Sequence, residues 1–84
     1  MMLDEILEHY EDASFIKFEG FDSAILGVDE SRMVLIYSYK RCIDILISDG
    51  MDEIDAIEYM EYNVAGCYLG EDTPVICRDL MFEN

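Results

Sequence analysis

The residues of this chain best suited to hold a metal ion are three cysteines, Cys42, Cys67 and Cys77, and the single histidine, His9. Their number matches a three-cysteine, one-histidine zinc site. Such sites present two ligands about two to four residues apart on one tight loop, and no two of these four stand that close. The cysteines are therefore expected to pack as small apolar residues, with no metal or other cofactor held. The stretch Asp49-Gly50-Met51-Asp52-Glu53 places oxygen ligands beside a glycine. It lacks the alternating ligands and closing glutamate of a calcium loop and reads as helix punctuation. His9 sits among Glu8, Tyr10 and Glu11 with no serine or cysteine tied to it by a nucleophile motif. No glycine-rich phosphate loop is present, and carboxylates are too abundant for any pair of them to mark an acid–base site. The expectation is a protein that is not an enzyme.

What remains is charge. Twenty Asp and Glu face five Lys and Arg, for a net charge of −15 on 84 residues. A surface of that sign repels nucleic acid and anionic membranes, both polyanions, and attracts basic proteins. The acids are also patterned. Asp4, Glu8 and Asp12 recur at every fourth position with Glu5 and Glu11 beside them, and Asp52, Asp55, Glu58 and Glu61 recur at every third, interleaved with Tyr59 and Tyr62. On helices these spacings bring like charges to within ~5–6 Å at Cβ, at a cost of a few tenths of a kcal/mol per pair. Closely spaced negative charges on a rigid helix with aromatic neighbours are what a protein needs to imitate a nucleic-acid backbone toward a basic groove. The candidate partner-binding residues are accordingly Asp4, Glu5, Glu8, Asp12, Asp55, Glu58, Glu61, Tyr59 and Tyr62. The competing explanation is a solvated acidic coat that serves only solubility or adaptation to high salt. The two differ in position: a mimic gathers its acids on one face, whereas a coat spreads them.

These side chains must be carried by a small scaffold. Residues 1–84 are read as a single acidic α+β domain, because the length allows one core and 52% of residues are apolar. Leu3, Ile6, Leu7 and Tyr10 share one face of a first helix over residues 3–12. Residues 14–21 form an extended connection or short strand. Ala24–Val28 and Arg32–Tyr39, rich in β-branched and aromatic residues, flank the polar cluster Asp29-Glu30-Ser31 as a hairpin. A second helix runs from Lys40 to Ser48 and stops at Asp49-Gly50. Asp52 caps a third helix, ended by Gly66 or Gly70, and Val75-Ile76-Cys77 supplies a last strand after Pro74. The order is α-β-β-α-α-β, a short antiparallel sheet packed on helices. The expected core is Ile6, Leu7, Leu26, Val34, Ile36, Cys42, Leu46, Ile57, Met60, Val64 and Val75. The acids Asp4, Glu5, Glu8, Asp55, Glu58 and Glu61 are expected to be exposed and largely unpaired, since five cations cannot match twenty anions. No apolar run approaches the ~20 residues that cross a bilayer, and Met1-Met2-Leu3-Asp4-Glu5 lacks the basic start of a secretory signal. With an odd cysteine count that offers no disulfide framework, a cytoplasmic location is expected.

The segment Leu35-Ile36-Tyr37-Ser38-Tyr39-Lys40-Arg41-Cys42-Ile43, then Asp49-Gly50-Met51, then Ala56 through Val75, resembles small uncharacterised proteins encoded by tailed bacteriophages. The resemblance covers roughly Ser23 to Ile76 and is most specific from Glu58 to Pro74. It implies a phage origin and the host cytoplasm as the place of action, and it supplies no catalytic residue. The first, acidic helix lies outside it. Together these readings predict an acidic interaction protein that binds and inhibits a basic, nucleic-acid-binding host protein. The alternative is a small homo-oligomeric structural or accessory protein that associates through Tyr59, Tyr62 and Tyr68.

Overall fold

The structure is a computed structural model that describes residues 2–10, 14–64, 66 and 70–79. Helix α1 spans Met2–His9, and a single 3-10 turn at Asp22–Ala24 leads into strand β1, Ile25–Asp29. Strand β2 is Val34–Ser38, helix α2 is Tyr39–Ser48, and helix α3 is Glu53–Tyr59, continued by a π-helical stretch at Met60–Val64. Strand β3 is Val75–Cys77. The element order is the α-β-β-α-α-β expected from the sequence, and residues 14–18 are an extended connection.

Local chemistry explains where the elements begin and end. Asp29 Oδ1 accepts from the Ser31 amide and hydroxyl at 3.1 and 2.7 Å, an Asx turn that reverses the chain between β1 and β2. Met33 completes the turn with φ +54°, a conformation that side chains with a Cβ rarely adopt. The Ser38 hydroxyl caps α2 by accepting from the Arg41 amide at 3.0 Å. At the other end, the Met51 amide donates to the Leu46 carbonyl and the Gly50 amide to that of Ile47, with Gly50 at φ +112°. That is a Schellman stop, and Met51 packs its side chain against the core beside it. Asp52 caps α3 through the Asp55 amide at 2.8 Å, as its position predicts.

The sheet corrects one expectation. Its order is β1-β2-β3, with β1 and β2 antiparallel but β2 and β3 parallel, Ile36 opposite Val75 and Ser38 opposite Cys77. The sheet is mixed because β2 and β3 are joined by two helices, a connection long enough to return the chain to the end where β2 starts. Arg32, just before β2, marks that end by donating to the Glu71 carbonyl just before β3 at 3.2 Å.

The core lies between the sheet and the helices: Leu3 and Ile6 from α1, Leu35 and Tyr37 from β2, Tyr39, Cys42, Ile43 and Leu46 from α2, and Ala56, Met60 and Val64 from the third helix. Tyr37 accepts the Phe18 amide at 3.0 Å and stacks obliquely on the Phe18 ring, which ties the extended connection to the sheet. Of the expected core, Ile6, Val34, Cys42, Leu46, Met60 and Val64 are buried. Leu26, Ile36 and Val75 are half-buried. Leu26 is the extra residue where the β1–β2 register shifts between Ile25 and Gly27, so the bulge turns it from its expected place. Leu7 and Ile57 are exposed. The third helix keeps its expected phase at Met60 and Val64, but its first turn buries Ala56, four residues before Met60, in place of Ile57, three before it.

Candidate functional site

Helix α1 rests against β1 and the 3-10 turn and directs Asp4, Glu5 and Glu8 into solvent. Asp12, expected to extend this row, lies outside the described residues. Helix α3 rests against α2 and directs Asp55 and Glu58 outward, with Tyr59 and Tyr62 also exposed. The single set of candidate residues therefore divides between two helices with different supports. Further exposed acids stand elsewhere: Glu30 in the hairpin turn, Asp44 on α2, and Glu71 and Asp72 before β3. The acidity is a broad property of the surface, with its densest runs on α1 and α3, and the described acids are not gathered on the one face that a nucleic-acid mimic requires.

Glu61 departs from expectation. It is paired: its two oxygens accept from the Arg78 guanidinium at 2.9 and 3.2 Å, and Oε2 also accepts from the Tyr39 hydroxyl at 2.7 Å. Arg78 lies over the Tyr39 ring, 4.9 Å from its centroid. The Arg78 hydrogen bonds, then that of Tyr39, hold the Glu61 carboxyl below its ordinary range. Glu61 thus clips the π-helical stretch to the end of β3 and is withdrawn from the partner-binding set.

A second carboxylate, Asp79, has the same kind of role. It accepts from the Ser38 hydroxyl through one oxygen and from the Lys40 amide through the other at 2.8 Å. The start of α2 is thereby capped twice, by Ser38 from its own chain and by Asp79 from 39 residues beyond Lys40. Burial alone would raise the Asp79 pKa, but the hydrogen bonds from Ser38 and Lys40 outweigh it and the net shift is downward. Neither Arg78 nor Asp79 stood out in the sequence. Their only local signal is two charged residues immediately after an apolar strand, and their partners lie far away in the chain.

The residues first considered for chemistry are held apart. His9 is exposed at the end of α1, Cys42 is fully buried on the inner face of α2, and Cys77 is half-buried on β3; Cys67 lies outside the described residues. Burial pushes the Cys42 thiol up to about 12, far from the range in which a thiol reacts at neutral pH. Between α1 and the hairpin lies an open groove lined by Glu5, Ile6, His9, Tyr10, Val28 and Glu30, two of whose lining residues are joined by a hydrogen bond from the Tyr10 hydroxyl to Glu30. That bond raises the Tyr10 pKa and keeps the hydroxyl a donor, so it serves as a clasp.

No family model, curated protein or solved structure matches this chain. The surface must be read from its own geometry. The described ion pairs are Lys17–Asp22, Lys40–Asp44 and Arg78–Glu61. Asp4, Glu5, Glu8, Asp55 and Glu58 take part in none of them, and all five are exposed. Such a surface presents negative charge on two helices that pack on a common core.

Proposed function

We propose that this protein is an acidic interaction module that binds and blocks a basic, nucleic-acid-binding protein. One observation carries the reading: Asp4, Glu5, Glu8, Asp55 and Glu58 remain exposed and outside the described ion pairs, while Arg78, Lys40 and Lys17 are engaged by other acids. A partner's lysines and arginines would supply the missing countercharge. They would be drawn in by long-range attraction that speeds association and weakens as salt rises. The resemblance of residues 23–76 to phage-encoded proteins supports a bacterial host protein as the target and the host cytoplasm as the place of encounter. Because the acids stand on two differently supported helices, the arrangement favours a broad basic surface over a groove that takes a single row of phosphates.

Self-association is the second reading, and the exposure of Tyr59 and Tyr62 favours it, while Tyr68 lies outside the described residues. Like charge opposes it, since two copies would bring two chains of −15 together. Affinity capture from a bacterial lysate tests the proposal. A basic nucleic-acid-binding protein should co-purify, should be released by raised salt or by added DNA, and should be lost when Asp4, Glu8, Asp55 and Glu58 are all changed to lysine. A neutral or acidic partner that survives high salt and the reversed charges would refute it, and a stable dimer in light scattering would favour self-association.

A further inference from the structure

The twelve residues from Glu53 to Val64 form one helix that changes from α to π at Met60, and its two long faces differ sharply. The inner row, Ala56, Met60 and Val64 at every fourth position, is buried against the core. The outer row at the same spacing, Ile54, Glu58 and Tyr62, begins and ends on the two most exposed large apolar residues described, Ile54 at 71% and Tyr62 at 81%. Ile57, at 39%, extends that surface toward the buried side. Asp55 and Glu58, both exposed, stand between these apolar groups.

An acidic coat for solubility has no use for isoleucine. Placing Ile54 and Tyr62 outermost on the helix that also carries unpaired carboxylates gives a surface with apolar and negative elements in alternation along one helical face. The charges decide what fits it. A second copy would set Glu58 and Asp55 against their like, and nucleic acid or an anionic membrane would be repelled. A complementary surface must offer apolar side chains and cations at the same helical spacing, with cations over Asp55 and Glu58 and apolar groups over Ile54, Ile57 and Tyr62. A basic amphipathic helix has that pattern. We propose that the outer face of Glu53–Val64 docks a basic amphipathic helix of the partner, with Ile54, Ile57 and Tyr62 as the apolar contacts and Asp55 and Glu58 as the charged ones. This rests on the reading of the protein as a binder of basic proteins and adds where and in what form the partner is recognised.

The test uses a synthetic amphipathic helix of lysine and leucine, with a scrambled peptide of the same composition as the control for charge alone. Fluorescence anisotropy at near-physiological salt should show the amphipathic peptide binding the whole protein about tenfold or more tightly than the scrambled one. Changing Ile54 and Ile57 together to serine should remove most of that difference and leave binding of the scrambled peptide unchanged. Both residues are exposed, and an unchanged circular dichroism spectrum and melting temperature would confirm that the variant is folded. Equal binding of the two peptides, untouched by the serine changes, would overturn the docking site while leaving the attraction to basic partners in place. Failure of both peptides to bind would overturn the underlying reading as well. A dimer of the wild-type protein that the serine changes convert to monomer would overturn the proposal in favour of a second copy as the occupant.

Discussion

The acids around the end of β3 and those on the outer faces of α1 and α3 are the same residue types put to opposite uses. At the β3 junction each carboxylate is saturated: Glu61 holds Arg78 and Tyr39, and Asp79 holds Ser38 and the Lys40 amide. On the outer faces Asp4, Glu5, Glu8, Asp55 and Glu58 hold no cation among the described ion pairs. The contrast shows that net charge is a poor guide to the role of any one acid. A carboxylate that accepts several hydrogen bonds contributes to the fold, whereas one in a repelling row costs a little stability.

The sharpest way to break the comparison is to remove the junction acids. Asp79→Ala deletes two acceptors and leaves the buried Ser38 hydroxyl and the second cap of α2 without their partner. Chemical denaturation should show a loss of about 2 kcal/mol, the usual cost of losing charged hydrogen bonds at a helix cap. A loss no larger than that of an outer-face acid would erase the distinction.

Acid provides the next test. Asp79 and Glu61 both have folded pKa values below their ordinary ones, so each prefers its ionised form more in the folded than in the unfolded state. Their contribution is fully present above the ordinary carboxylate range and is lost as pH falls below about 4 toward the folded values. The melting temperature of the wild type should therefore drop in that window more steeply than that of Asp79→Asn, and parallel curves would deny Asp79 its role. Near the same junction, Cys42, with its pKa raised to about 12, should resist alkylation in the folded protein at mildly alkaline pH, where only about one thiol in ten thousand would be ionised. Half-buried Cys77 should label before Cys42, as mass spectrometry of peptides can read.

The smallest expected effect comes from the other side of the comparison. Glu58→Gln relieves repulsion from Asp55 and Glu61 on the same helix and should leave stability unchanged or raise it by about 0.3 kcal/mol. A marked loss would mean that Glu58 has a structural partner.

Much of the scaffold was readable from local sequence, because its stops and caps act over three or four residues. Asp52 before α3, Gly50 after α2 and the apolar run Val75–Cys77 after Pro74 all took their expected places. What escaped depends on contacts distant in the chain. The parallel pairing of β3 follows from the path of two helices, which no strand pattern encodes. Whether Ala56 or Ile57 is buried in the first turn of the third helix depends on the packing around it, and an apolar pattern containing both suits either. The exposed acids of α1 and α3 were legible because a shortage of cations is a matter of composition. Glu61 was misplaced because Arg78 lies 17 residues further on, and Leu7 and Ile57, beside the acids of α1 and α3, were assigned to the core but are exposed.

The claim that the outer acids are held in reserve for a basic partner can be tested in one variant. Asp4, Glu5, Glu8, Asp55 and Glu58 would be changed together to their amides, and melting temperature and affinity for a basic amphipathic peptide measured on the same sample. The account predicts a melting temperature equal to or above that of the wild type, with affinity reduced by about tenfold or more and its salt dependence flattened. A fall of several degrees in melting temperature, or peptide affinity equal to that of the wild type, would contradict it.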